Sequence, residues 1–246
     1  MQINPNDCSA CIEMLFTDQS PDPIQRIHLA AAAGFRAIEF WLWSNKDLDA
    51  VKTALRDTGL TVAGFVAEPM VSLNDPAHHA RFLAALPASI ATAQALGAPF
   101  LYIQGGSRLP GVSDADQAQA LVTVLTAAAD VLQGTGVTLL LEPVSDARDG
   151  FLTHAAQGLP IVAAVNRPEI RLLYDLYHAA MAGEDTATTI GSQMNLIGHV
   201  LVADHPGRGA PGTGQLALDR DLAWLRGKGY LGLFGLEYRP ATSGAT

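Results

Sequence analysis

Apolar residues along this chain fall into two alternating rhythms. One consists of short unbroken apolar runs bounded by turn residues, the pattern of strands buried on both faces. The clearest is the run 137–141 (VTLLL), which follows Gly136 and ends on Glu142 and Pro143. A strand does not continue through proline, so Glu142 is predicted at the strand's C-terminal tip. The same order recurs twice: 170–174 (IRLLY) ends on Asp175, and 233–236 (LFGL) ends on Glu237, with Pro240 soon after. The other rhythm is helical, with apolar residues three and four apart. It runs through Ile24, Ile27, His28 and Ala31, through Leu48, Val51 and Leu55, through Ala118, Leu121, Val122, Leu125, Ala128 and Leu132, and through Leu222 and Leu225.

Taken in order, strands are expected at 10–16, 37–41, 61–66, 100–104, 137–142, 170–175, 199–203 and 234–237. Helices are expected from Ser20-Pro21 to Gly34, from near Lys46 to Gly59, over 75–96 with Pro87 bending it, after Ser113 (with Asp116 as a capping box), over 154–165, over 185–194, and from Asp219. Strands alternating with helices throughout predict a single α/β domain over 1–246, a closed parallel (β/α)8 TIM barrel. An open doubly wound sheet would want G-x-G-x-x-G after the first strand, and none is there. The tail YRPATSGAT does not read as a helix, so the last outer helix is expected to be missing or vestigial. The flank beside strands one and eight is then expected to be bare or covered by a second copy in a homo-oligomer.

In such a barrel the C-terminal strand ends form the active face. Glu142, Asp175 and Glu237 would meet there, and three converging carboxylates repel unless a cation or shared protons neutralise them. A divalent-metal site is the reading that follows. Length agrees with it, since 246 residues is close to the ~250 of one barrel. With 49% hydrophobic and 16% charged residues, the chain reads as a compact enzyme-sized domain. A formal net charge of −9 argues against nucleic acid and against an anionic membrane as partner. No apolar run reaches bilayer length, and the start MQINPNDCSA lacks the marks of a secretory leader, so the expected location is cytoplasmic. Cys8 and Cys11 form one C-x-x-C with no second pair. In a strand, positions three apart face opposite ways, so one or two small buried thiols are expected rather than a zinc or redox site.

The segments LLLEPVS, LLYDLYH, IGHVLVADHPGRGAPGTGQL and GLFGLEYRP, with GFRAIEF near the start, resemble the hydroxypyruvate isomerase family of the xylose-isomerase-like barrels. The resemblance covers nearly the whole chain. It implies an isomerase of a short 2-keto-3-hydroxy acid acting through an enediolate, with 2-oxo-tetronate isomerisation or ketose 3-epimerisation as close variants. It implies one Mg²⁺ or Mn²⁺ on Glu142, Asp175, position 201 and Glu237. Glu142 and Glu237 would be the acid/base pair, and His178 and Arg208 would contact substrate oxygens. The chain departs from the pattern at two places: position 201 is Leu, which has no lone pair, and Gln215 stands where the pattern has Glu. By alternation His199 and His205 share Leu201's strand face, and either is a candidate replacement ligand; His205 is also a candidate substrate contact. His199 reads otherwise as an anchor for a carboxylate. Glu39 and Glu68 have weaker claims to the site, Trp41, Trp43 and Phe65 read as pocket wall or core, and His78-His79 as a solvated helix face. Two other classes stay open: a non-catalytic barrel that binds a small ligand, and a phosphodiester-cleaving enzyme.

Overall fold

The computed structural model describes residues 3–240. Eight parallel strands close into one barrel in sequence order. The strands are β1 (Cys8–Cys11), β2 (Ala37–Phe40), β3 (Thr61–Val66), β4 (Phe100–Gln104), β5 (Thr138–Glu142), β6 (Ile170–Asp175), β7 (Ile197–Val202) and β8 (Phe234–Leu236). The helices are α1 (Pro23–Ala32), α2 (Leu48–Thr58), α3 (His79–Leu96), α4 (Asp114–Leu132), α5 (Ala155–Val165), α6 (Leu176–Met181), α7 (Thr186–Ile190) and α8 (Leu218–Gly227).

Local chemistry explains most boundaries. Asp47 caps α2 by accepting from Asp49 and Ala50, and Gly59 ends it at φ 74°. Ser113 accepts from the Asp116 N–H to open α4, as the capping pattern requires. Some expectations need correction. The first strand is not 10–16 but Cys8–Cys11, because Met14 and Leu15 donate back to the Cys11 carbonyl and turn the chain. The helix expected at 185–194 stops at Ile190, where Gly191 breaks it, and α6 was not foreseen at all. The first helix opens at Asp22-Pro23 rather than Ser20-Pro21. His78 and His79 are not a solvated face; each ring meets a carbonyl of the preceding loop.

Strand alternation splits the core in two. Leu139 and Leu141 face the helices, while Leu140 packs inside the barrel with Tyr102, Leu173 and Leu201. Below the mouth of the barrel lies a buried polar layer. His199 Nε2 meets Glu39 Oε1 at 2.9 Å, Tyr102 donates to Glu39 Oε2 at 3.0 Å, and Ser9 donates to the same carboxylate. Two glycines make room for it. A Cβ at Gly64 would lie 2.3 Å from the Tyr102 hydroxyl, and one at Gly235 would lie 2.4 Å from Glu39 Oε1.

No helix follows β8 up to Pro240, and residues 241–246 lie outside the described residues. The flank is nevertheless not bare. The outward side chains Cys8, Ala10, Phe234 and Leu236 are all buried within this one chain. Tyr230 packs on Phe234, and the Arg226 guanidinium lies 4.2 Å over the Phe234 ring. Both cysteines are free and buried, Cys8 outward and Cys11 inward. Burial pushes the Cys8 thiol up to about 12 and the Cys11 thiol well above its ordinary value, which suits inert core groups. No helix among the described residues is long and apolar enough to cross a membrane.

Candidate active site

The C-terminal strand ends open onto a cavity of about 320 Å³, walled by Cys11, Trp41, Glu142, His178, Arg208 and Glu237 among others. That is the lower end of the ~300–1,000 Å³ usual for small-molecule sites. A neighbouring cavity of about 240 Å³ over β3 to β5 shares Val66, Met70, Gln104 and Val144 with it, but has no carboxylate or histidine in its wall.

Each acid is delivered by the end of a strand. Glu142 closes β5 and receives only a long contact, 3.4 Å from Gln104 Nε2. Asp175 closes β6 and at the same time caps α6. Its Oδ1 accepts from the Tyr177 and His178 N–H groups at 2.7 and 3.4 Å. Its Oδ2 lies 3.6 Å from His178 Nε2 and 3.5 Å from Arg208 Nη2. Glu237 follows β8, and both its oxygens are engaged. Arg208 Nη2 donates to Oε2 at 2.6 Å, and the Trp41 indole donates to Oε1 at 2.8 Å. Arg208 comes from the β7–α8 loop, held in a left-handed conformation at φ 54°. Its guanidinium also lies 3.5 Å from Asp146 and 5.1 Å over the Tyr177 ring.

The sequence-derived residues are therefore mostly together. One guanidinium touches both Asp175 and Glu237. Glu142, Asp175 and His178 offer ligand atoms that all lie within 4.8 Å of one another. His205 stands apart from this group, its ring packed on Tyr177 at 5.7 Å. His199 sits one layer down against Glu39, the anchoring role that was one of its two readings. Neither histidine belongs to the group of ligand atoms formed by Glu142, Asp175 and His178. Glu68 serves a loop, accepting from Trp43 N, Ser44 N and the Ser44 hydroxyl. Trp41, read as pocket wall, also donates to a site carboxylate. Asp146, Ser145 and Gln104 also stand at the site without being sequence candidates; all three adjoin strand ends, and Ser145 closes the LLLEPVS segment.

The electrostatics follow from burial. Burial, Glu237 and Asp175 together push the Glu142 carboxyl well above its usual range. Burial raises Glu237 to about 7, with Asp175 adding to the rise and Arg208 and Trp41 opposing it. Burial works against the Arg208 charge, but Glu237, Asp175, Glu142 and Asp146 outweigh it and hold that charge firmly. Burial lowers His178, which favours the neutral ring. Two carboxylates and a neutral imidazole, with Glu142 scarcely engaged by protein donors, make a donor set that fits a divalent cation.

The sequence matches the family described as xylose isomerase-like TIM barrel over residues 27–246. The chain belongs to that family. A Streptomyces coelicolor protein provisionally named hydroxypyruvate isomerase is 35% identical over 250 residues, covering 93% of this chain and 89% of its own length. The 2-oxo-tetronate isomerase of Cupriavidus necator is 31% identical over 233 residues, covering 88% of this chain and 87% of its own. Among solved structures, an AP endonuclease of family 2 from Brucella melitensis superposes with a TM-score of 0.85 at 26% identity, over 94% of this chain and 92% of that one.

Proposed function

We propose that the chain is an isomerase of a short 2-keto-3-hydroxy acid, interconverting it with its aldehyde isomer as in the hydroxypyruvate and tartronate semialdehyde pair. The observation that carries the reading is the pair of buried carboxyls, Glu142 and Glu237, which face one small cavity with raised proton affinity and a fixed cation, Arg208, beside them. A divalent cation, Mg²⁺ or Mn²⁺, anchored on Glu142 and Asp175 would polarise the substrate carbonyl and acidify the neighbouring C–H bond. Glu237, its proton affinity raised by burial, suits removal of that proton; a protonated Glu142 suits delivery of its own proton to the adjacent carbon, while the proton of the neighbouring hydroxyl passes to the former carbonyl oxygen. The roles exchange in the reverse direction. Arg208 would hold the charge that builds on the enediolate oxygens, with the His178 ring bounding the same space. The partner is then a small molecule in the cytoplasm.

A nuclease is the reading that the likeness to the Brucella melitensis AP endonuclease would suggest. It wants a basic phosphate-binding surface, and a formal charge of −9 with an acid-lined mouth opposes it.

Proton NMR in D₂O tests the proposal. Hydroxypyruvate, a four-carbon 2-oxo acid and a ketose panel would be incubated with Mn²⁺- or Mg²⁺-supplemented enzyme. Deuterium should enter at the carbon next to the carbonyl of one acid, and Glu142→Gln or Glu237→Gln should slow this by roughly 10²–10⁴-fold. Absence of exchange and of turnover across the whole panel defeats the isomerase reading; exchange with ketoses alone replaces it by an epimerase.

A further inference from the structure

We propose that the cation site of this chain is closed by His178, as a mixed set of Glu142, Asp175 and His178, and that Glu237 is withheld from it. This rests on the reading above that the cavity takes a divalent cation.

Three observations support it independently. The first is reach. Ligand atoms of Glu142, Asp175 and His178 lie within 4.8 Å of one another. Metal–ligand bonds of ~2.1 Å put neighbouring ligand atoms roughly 3.0–3.4 Å apart. The 3.6 Å between His178 Nε2 and Asp175 Oδ2 is just outside that spacing, too long for a good hydrogen bond and open to an ion between them.

The second is orientation. The other ring nitrogen, Nδ1, faces the Ser145 hydroxyl at 3.2 Å, with Asp146 Oδ1 at 3.8 Å. A partner on the far nitrogen fixes the ring and aims Nε2 inward, as protein partners of metal-bound histidines do. Asp175 is aimed likewise: Oδ1 is tied to the start of α6, and Oδ2 faces the site, where its 3.5 Å approach to Arg208 Nη2 is looser than the 2.6 Å bond that holds Glu237.

The third is what the other candidates cannot give. Leu201 pairs with Asp175 across the β6–β7 ladder and lines the cavity with carbon atoms only. Glu237 has one oxygen on the Arg208 guanidinium and the other on the Trp41 indole. It would have to abandon a charge-assisted bond to join an ion, so Arg208 keeps it available for proton transfer instead. An imidazole among the donors shifts preference away from Mg²⁺ and toward Mn²⁺, Co²⁺ or Zn²⁺.

The test uses the full chain loaded with Mn²⁺. Pulsed electron paramagnetic resonance should show nitrogen modulation from one directly bound imidazole. His178→Asn should abolish it and weaken Mn²⁺ binding, measured by calorimetry, roughly tenfold or more, whereas His205→Asn should keep it. Ser145→Ala leaves the ligand in place but unsteadies the ring, and should weaken Mn²⁺ by about tenfold. Glu237→Gln should leave the Mn²⁺ dissociation constant within about threefold of the parent, while Glu142→Gln loses binding. Bound Mn²⁺ without nitrogen modulation, or Glu237→Gln weakening it as much as Glu142→Gln does, overturns the His178 assignment and leaves the cation reading standing. No binding of Mn²⁺ or Zn²⁺ by the parent chain overturns both.

Discussion

Glu237 is a carboxyl under opposed influences. Burial and the nearby Asp175 carboxylate favour its proton; Arg208 and the Trp41 indole favour its charge, and the balance falls at about 7. A general base does best near the working pH, so kcat/KM is expected to rise with pH as Glu237 becomes ionised, the bound cation drawing that limb below the cation-free value. Arg208 lowers that value, so removing its charge must move the limb upward. Arg208→Met should shift the acid limb of the pH profile to higher pH, and Arg208→Lys, which keeps the charge but loses the fork, should shift it less. An acid limb that stays in place in Arg208→Met shows that Arg208 is not the counter-charge of Glu237. None of this could be read from neighbouring residues. Arg208 and Glu237 are 29 positions apart, Trp41 and Glu237 196, and a run of sequence states which strand end an acid occupies but not which donor meets it.

The β7–α8 loop is the element that sets Arg208 in place. Asp204 organises it: Oδ1 accepts from His205 and Leu216, and Oδ2 from Gly212. Burial raises the Asp204 carboxyl, but backbone N–H groups outweigh this and hold it below its usual range. Asp204→Ala leaves those N–H groups unpaired and should cost about 1–3 kcal/mol in urea unfolding. Its kcat/KM should fall further than that loss of folded protein explains, with faster amide exchange across 205–216. Normal exchange there would mean that the glycines and prolines alone shape the loop. At this scale much was legible. The order of apolar run, acid and proline located Glu142, and the cap of α4 was found from Ser113 and Asp116, because these signals are local. Helix α6 was not, because Asp175 serves as strand end and helix cap at once and leaves no turn residues between. The first strand was misplaced because Glu13 to Phe16 continue an apolar stretch that the backbone bends away from the ladder.

Across the whole molecule two buried charged layers lie one above the other inside the barrel, and they answer pH in opposite senses. The lower layer is paired. Burial would raise Glu39, but His199, Ser9 and Tyr102 outweigh it and lower the carboxyl, so its contribution is present at neutral pH and is lost as pH falls. His199→Ala strands that carboxylate and should cost about 3–5 kcal/mol in urea unfolding, with part recovered in the double variant Glu39→Gln, His199→Ala. The upper layer is under-neutralised. Glu142 and Glu237 bind protons more tightly folded than unfolded, so their contribution is complete below the ordinary carboxyl range and is lost as pH rises through about 7. The cation-free protein should therefore lose stability between pH 5 and about 8, on the order of 2 kcal/mol or more, given ~1.4 kcal/mol for each tenfold change in proton affinity. Glu142→Gln keeps the shape of the side chain and removes the ionisation. It should flatten this decline and raise the cation-free Tm at pH 8 above the parent's, while abolishing turnover. Added Mn²⁺ should restore the parent at pH 8 and leave Glu142→Gln nearly unmoved, because the ion stabilises only a site that can bind it. Scanning calorimetry at pH 5 and pH 8, with and without Mn²⁺, decides the matter. A parent Tm unchanged between the two pH values would mean that Arg208 alone neutralises the acids.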